Sequence, residues 1–325
     1  MANLQPPSAT GAAGTVAAAE ADAVDVVVPI FNAAAYLPQV LAAWSAQSTR
    51  RPLRFFLVDN NSRDGSDRLI LEAASRDPRF IPLHEPKQGA YAARNTGVRA
   101  SSAPTLVFTD PDCVAEPDWL HELLDGPAGL YGRAADGADG AGEPLVVMGR
   151  DRQAGRGRCI RLLSDYDDAK ERYTLASDEP EIYYGHTNNL ATRRRTLEAA
   201  GGFSERQRGA DVLFVQHVVQ RFGTDAVAYA PDAVCHHLEV DTARRYFRKT
   251  YLYGRSNKLY QQKLNRAAQP LSNRQRWAVF QLARRVHGLS LSDSVLLFHL
   301  LGLGVVWWYA GRYLGTRELA ADEAR

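Results

Sequence analysis

Hydrophobic positions along this 325-residue chain alternate between two textures. Short unbroken apolar runs occur at Val24 to Ile30, Leu53 to Val58, Phe80 to Leu83 and Thr105 to Thr109. Between them lie stretches of helical period, with Leu37, Val40, Leu41 and Trp44 on one face, a second beginning near Asp67, and a third over about Ala90 to Ala100. An unbroken run offers no polar face to water, so such strands are covered on both sides. Strands alternating with helices predict a Rossmann-like α/β layer with a mainly parallel sheet flanked by helices. In such sheets ligands collect at the carboxyl ends of the strands. The polar turns Asp59 to Ser66 and Asp110-Pro111-Asp112 fall there.

Beyond Asp112 the pattern loosens. Asp125 to Gly142 reads as a Gly/Ala/Asp-rich loop, Leu145 to Met148 as a strand, and a helix begins near Thr192 after a polar, Tyr-rich stretch ending at Tyr184. Ala226 to Val234 is strand-like, Asp241 to Arg266 is basic and aromatic at helical spacing, and Val295 to Gly311 is apolar apart from His299. We expect a disordered tail over residues 1–22, a catalytic domain over 23–240 and a helical extension over 241–325.

Composition narrows the class. Hydrophobic types make up 45% of the residues, enough for a substantial core. A formal charge of +2, from 39 Lys+Arg against 37 Asp+Glu, lacks the basic footprint of a nucleic-acid binder. Cys113, Cys159 and Cys235 are odd in number and widely spaced, which suits neither a disulfide framework nor a zinc site and fits a reducing cytosol. No Lys or Arg precedes Arg50, so the basic start of a secretory signal is missing.

Asp110 and Asp112 close a hydrophobic strand at a spacing that lets both approach one hard cation, Mg²⁺ or Mn²⁺. Such a cation would stabilise the charge on a diphosphate leaving group. Asp59 could accept hydrogen bonds from a base or ribose; its simpler reading is capping of its own turn. Lys87-Gln88-Gly89 followed by Arg94 pairs a glycine that permits close backbone approach with a guanidinium suited to phosphate.

Taken in order, Val26-Val27-Val28-Pro29-Ile30-Phe31-Asn32, Val58 to Ser66, Gly89 to Gly97 with Ala93-Arg94-Asn95, and Phe108-Thr109-Asp110-Pro111-Asp112 resemble the family 2 glycosyltransferases of GT-A fold. The resemblance continues through Gly185 to Arg194, Gly201-Gly202-Phe203 and Ala210-Asp211. It implies inverting, metal-dependent transfer of a sugar from a nucleoside diphosphate to a hydroxyl of a glycan or lipid-linked acceptor, as in cell-surface polysaccharide or glycolipid synthesis. The donor would be held by Pro29, Phe31 near the base, Asn32, Asp59, Arg94 and Asp110. The metal would be held by Asp112 and Asp110, with a histidine joining as in some relatives; His236 is the candidate, His237 beside it is the alternative, and a structural or surface role stands open for either. His186 and Asn189 would lie on the acceptor side, or simply pack. Asp211 would be the general base, with a helix cap as its structural alternative. The chain departs from many relatives in having Ala210 where an acid often precedes the base. It also lacks the Gln-x-x-Arg-Trp signature of processive synthases, since Gln216 precedes His217, Val218 and Val219.

Two readings stand for the C-terminal run. Trp307, Trp308, Tyr309 and Tyr313 beside Arg312 and Arg317 look like interfacial anchors, and the preceding basic helix would suit an anionic membrane surface on the cytoplasmic side. A core helix packed on the catalytic domain is the other. A nucleotidyltransferase would also join an α/β sheet to paired carboxylates, but Pro29 to Asn32 lacks a Gly-rich basic phosphate loop. A catalytically silent nucleotide-sugar-binding scaffold at a membrane is the third class, and Asp59, Asp110, Asp112 and Asp211 speak against it.

Overall fold

In a computed structural model the chain is described over residues 22–132, 143–205, 208–261 and 269–323. The expected tail, apart from Asp22, and the expected loop from residue 133 onward lie outside the described residues. The strands are β1 Val24–Ile30, β2 Leu53–Asp59, β3 Phe80–His84, β4 Thr105–Thr109, β5 Cys113–Ala115, β6 Val146–Gln153, β7 Asn189–Arg193 and β8 Val227–His237. They form one sheet in the order β3-β2-β1-β4-β7-β6-β8-β5. The half made by β3, β2, β1 and β4 is parallel throughout. The other half is mixed, because β7 runs antiparallel to both β4 and β6 and β5 runs antiparallel to β8.

Strand alternation sorts the core into two layers. Val26, Val28, Phe55 and Leu57 face the layer built with Leu37, Val40 and Trp44 of α1, Leu37–Ser45, and Trp119 of α4, Trp119–Leu124. Val27, Phe56, Leu106 and Phe108 face the opposite layer, with Tyr91 of α3, Ala90–Ala100, and Phe214 of α7, Ala210–Phe222. Each fully buried side chain of this kind contributes about 1.5–3 kcal/mol. The one charge inside β1, Asp25, is fully buried and satisfied: it accepts two hydrogen bonds of 2.8 Å from Arg54 on the neighbouring strand and one of 3.1 Å from the Ala103 amide.

The remaining helices are α2 Ser66–Arg76, α5 Arg158–Leu175, α6 Arg194–Ala199, α8 Ala243–Gln261, α9 Asn273–Val286 and α10 Leu291–Glu323. The Tyr-rich stretch before Tyr184 contains α5, whose apolar stripe the sequence reading passed over. Leu162, Leu163 and Ala169 of α5 share a third core with Phe247 of α8, Val279 and Phe280 of α9, and Leu297 and Leu300 of α10. Helices α8 and α10 touch backbone to backbone. A Cβ on Gly254 would lie 2.1 Å from the Trp308 carbonyl oxygen, and one on Gly311 would lie 2.1 Å from that of Tyr251. Larger residues at these positions would force the helices apart.

The expected apolar run lies inside the longer α10. Its segment Leu291–Leu314 has a mean hydropathy of 1.5 and is the one helix among the described residues long and apolar enough to cross a membrane. Only 22% of that apolar stretch is buried. Phe298, Leu303, Val306, Trp307 and Tyr309 stand exposed on its outer side. Helix α10 therefore packs one face into the third core and, among the described residues, leaves another apolar face exposed.

Candidate active site

Parallel register brings Ile30, Asp59 and His84 level at the carboxyl ends of β1, β2 and β3. The two loops that leave this edge hold each other. Asn32 donates its amide to Ser62 Oγ at 3.0 Å and accepts from the Arg63 amide at 2.8 Å, while Asp64 accepts from the Ala34 amide at 2.9 Å. Asn60 accepts from the Gly89 amide at 2.7 Å and donates to the Lys87 carbonyl at 2.8 Å, which seats the start of α3 beside the same edge. Asn32 has a φ of 49°, a left-handed conformation that asparagine tolerates better than most residues. Its side chain is thus engaged in the loop. Pro29 is buried within β1 opposite Val58, so its part in donor binding would be to shape the edge.

Phe31 lies just past β1 and is 51% exposed, an unusual position for a large apolar side chain and a suitable platform for a flat base. Asp59 is buried and accepts from the Ser62 amide at 3.3 Å, with His84 Nδ1 at 3.3 Å. Asp59 therefore caps its own turn, at the end of the strand beside Phe31.

Arg94 and Tyr91 are one turn apart on α3. The Arg94 guanidinium is buried, ion-paired to Asp110, and lies 5.2 Å above the Tyr91 ring. The Tyr91 hydroxyl accepts from the Asp211 amide at 3.5 Å, so α3 links Asp110 on one side to Asp211 on the other. Tyr91 was not singled out from the sequence, although its spacing of three residues before Arg94 puts it on the same face.

Asp211 sits in the first turn of α7, whose N-cap is Gly209. The capping alternative does not hold: the acid is inside the helix, with Oδ1 accepting from the Val212 amide at 2.9 Å. Burial raises its pKa above the usual carboxylate range, against the opposing pull of Tyr91, Arg94 and His186. A carboxylate made more basic is better suited to take a proton.

Asp112 follows the β4 turn and faces β8. The antiparallel register pairs Cys113 with His237 and Val114 with His236, so the two histidines point to opposite sides. His237 is buried with Nδ1 3.1 Å from Asp112 Oδ2, whereas His236 Nε2 contacts Glu116 at 2.9 Å. The histidine beside Asp112 is therefore His237, and the expectation for His236 is corrected by strand alternation. His237 Nδ1 has no aligned hydrogen-bond partner among the described residues. It is also held neutral, because burial and then Lys249 lower its pKa.

A neutral imidazole nitrogen and a carboxylate at this separation fit Mn²⁺ or a similar cation. The Cys113 thiol is close by, but burial raises its pKa well above normal and keeps it protonated, so it is no ligand for a hard cation. Asp112 is pushed up to about 7 by burial and then by Asp110, a strain that a divalent cation would relieve.

Lys249 of α8 completes this corner, with Nζ 3.1 Å from His237 Nε2. Read from sequence as part of a basic surface, it instead turns inward, while Arg244, Arg245 and Arg248 of the same helix remain exposed. Burial works against its charge, but Tyr253, Glu239, Asp112 and Asp151 outweigh it and raise its pKa.

His186 joins the centre to α5: Nε2 lies 3.0 Å from Glu171 and Nδ1 3.8 Å from Asp151. Burial alone would lower its pKa, but Glu171 and Asp151 hold it up to about 10, so it is a buried imidazolium. Asn189 is fully buried, accepting from Trp119 Nε1 at 2.8 Å and donating to the Ala233 carbonyl at 2.9 Å. Its place is the sheet interior, and the acceptor-side expectation for it is withdrawn. Neighbouring Asn188 hydrogen-bonds Asp151 instead.

Comparison with known proteins follows this geometry. Residues 25–126 match the model of the family described as glycosyl transferase family 2. Glycosyltransferase AglE of Haloferax volcanii is 34% identical over 99 residues, covering 30% of this chain and 33% of the relative. The undecaprenyl-phosphate 4-deoxy-4-formamido-L-arabinose transferase of Pseudomonas paraeruginosa is 32% identical over 125 residues, covering 37% and 35%. The first curated relatives are matched over only a third to a half of their own length. Among solved structures, the mannosyltransferase PcManGT of Pyrobaculum calidifontis, in complex with GDP-Man and Mn²⁺, superposes with a TM-score of 0.56 at 22% identity over 90% of this chain and 84% of that one. That likeness establishes the GT-A fold. The chain thus has the GT-A fold and carries, over residues 25–126, a segment that matches the family 2 glycosyl transferases.

Proposed function

We propose that the chain is an inverting glycosyltransferase that moves a sugar from a nucleoside diphosphate to a hydroxyl of a lipid-linked or glycan acceptor at the cytoplasmic face of a membrane. The observation that carries this reading is the placement of Asp211, half-buried and made more basic, across α3 from the Asp110, Asp112 and His237 corner. In one displacement the acceptor O–H gives its proton to the Asp211 carboxylate while its oxygen forms the new bond to the anomeric carbon. The bond from that carbon to the diphosphate oxygen breaks with its electron pair leaving on the diphosphate. Phe31 and Asp59 would hold the nucleoside and Arg94 the diphosphate side. Asp112, Asp110 and His237 would hold a divalent cation, which supplies charge stabilisation to the departing diphosphate.

A lipid-linked acceptor is supported by the exposed apolar flank of α10 and by the likeness to the undecaprenyl-phosphate 4-deoxy-4-formamido-L-arabinose transferase. The match over residues 25–126 favours glycosyl over nucleotidyl transfer. The test is hydrolysis of a panel of GDP- and UDP-sugars by the purified protein with Mn²⁺, and its loss in excess chelator. A silent protein across the whole panel would sink the enzymatic reading, and undiminished turnover in chelator would sink the metal's role.

A further inference from the structure

Helices α5, α8, α9 and α10 enclose a pocket of about 580 Å³ that the transfer chemistry does not use. Volumes of about 300–1,000 Å³ are typical of small-molecule sites. Its body is largely apolar, with Leu163, Phe280, Leu301 and Trp308 among its walls. Its lip is formed by Trp277, Phe298 and Tyr309, each more than half exposed. The last two belong to the outer flank of α10, so the pocket opens beside the one helix among the described residues that is long and apolar enough to cross a bilayer.

The inner end is set by three consecutive residues. Tyr184 lines the pocket. Gly185 lies against the helix that carries the base, where a Cβ would come within 2.9 Å of the Asp211 carbonyl oxygen and 2.5 Å of Val215. His186 then makes its 3.0 Å contact with Glu171. Tyr184, in the pocket wall, is thus one residue from the glycine packed against the backbone of the base, and only glycine permits that approach. Lys170, 4.5 Å over the Tyr184 ring, and Asp167, which accepts from the Tyr246 hydroxyl at 2.9 Å, also line this end, so its charge is balanced.

We infer that this pocket holds the apolar chain of a membrane-borne acceptor, admitted past Phe298 and Tyr309, on the side of Tyr184 that leads through Gly185 to the helix carrying Asp211. The inference rests on the proposed transferase reading and names where its acceptor is gripped. A water-soluble glycan acceptor would leave the pocket without a ligand.

Gly302 lines the pocket, and a Cβ there meets nothing within 4 Å. Gly302→Phe should therefore fill the space without a clash, and replacing a mid-helix glycine also favours the helix. The probe is a dibrominated dodecyl phosphate, read by quenching of tryptophan fluorescence, since Trp277 and Trp308 both line the pocket. The full-length protein should show saturable quenching. In Gly302→Phe the half-saturating concentration should rise at least about tenfold, with the thermal unfolding midpoint preserved. Leu303→Phe, on the exposed side of the same helix, should bind the probe as the parent does. If Gly302→Phe unfolds early, Gly302→Leu serves the same comparison. Equal quenching in the parent and the pocket variants, or equal loss in Leu303→Phe, would overturn the inference, because the probe would then be coating the outer flank. Donor hydrolysis by the parent is measured separately. Its absence alongside pocket-specific quenching would refute the transferase reading and leave the pocket standing.

Discussion

Lys249 Nζ stands 3.1 Å from His237 Nε2, on the far side of the ring from Asp112. An ammonium can only donate, so Nε2 accepts and the proton of the neutral ring sits on Nδ1, facing Asp112. A cation held at Nδ1 needs the other tautomer, which turns Nε2–H toward Lys249. Lys249 would then turn from His237, and we expect the donor diphosphate to draw it, beside the carboxylates of Glu239, Asp112 and Asp151 that already act on it. We expect Lys249→Met to weaken nucleoside diphosphate binding by about 1.5–3 kcal/mol, the worth of a charged hydrogen bond, while Mn²⁺ binding without nucleotide holds or tightens. Calorimetric titration with Mn²⁺ and GDP or UDP reads both quantities. Unchanged nucleotide affinity would return Lys249 to a purely structural part.

The strand register makes a separate prediction about the adjacent histidines. His237→Ala should lower Mn²⁺ affinity and metal-dependent turnover, and Asp112→Asn should do the same, whereas His236→Ala should leave both near the parent level. Manganese paramagnetic resonance on the variants measures the bound fraction directly. The opposite ranking of the two histidines would show that β8 is misregistered against β5.

Asp211→Asn preserves the shape of the side chain and removes its basicity. Turnover should fall by about 10² to 10⁴, with donor affinity unchanged. Pre-steady-state rates with donor and acceptor both saturating would show this. A variant that transfers at the parent rate would mean the acceptor proton goes elsewhere.

Removing residues from Leu291 onward should release the protein from membranes, yet it should also impair the donor site. Helix α8 carries Lys249 and packs on α10 through Gly254 and Gly311, so stripping α10 leaves α8 without its support. Sedimentation after cell lysis and nucleotide affinity of the truncated protein test the two halves. A soluble truncation with full donor affinity would show that α8 is self-supporting, and a parent chain found wholly in the soluble fraction would remove the membrane reading.

His186 gives stability a pH signature. Its folded pKa of about 10 exceeds the ordinary value of 6.5, so the folded state binds the proton more tightly. That contribution is complete below about pH 6.5 and is lost as pH rises toward 10. The difference in thermal midpoint between the parent and His186→Gln should therefore narrow across this window. A constant difference would show that His186 does not titrate there.

The parallel half of the fold was plain in the sequence because Val24 to Ile30 and Leu53 to Val58 are apolar without interruption, as doubly covered strands must be. The site edge was equally plain, since Asp59, Asp110 and Asp112 end such strands. Helix α5 escaped notice because Asp165, Asp168 and Glu171 interrupt its stripe. These acids are buried against partners, as with Arg150 and His287 on Asp168, and no local pattern announces partners so distant in sequence. The choice between His236 and His237 was likewise hidden, because side-chain parity depends on where β5 pairs. Asn189 reads as an acceptor-side residue in its motif, but its partners Trp119 and Ala233 come from elsewhere in the chain.

Along α8, five residues separate Lys249, beside the metal corner, from Gly254, pressed on the Trp308 backbone. A helix rises about 1.5 Å per residue, so the two fixtures stand about 7.5 Å apart on one continuous rod. With the proposed membrane attachment, the rod would act as a gauge between chemistry and bilayer. With α10 lying on or in a membrane, the reacting centre keeps a set height above it, and acceptors would be sorted by how far their nucleophile projects from the lipid. A hydroxyl carried one sugar too high would pass over Asp211 however firmly its chain was held.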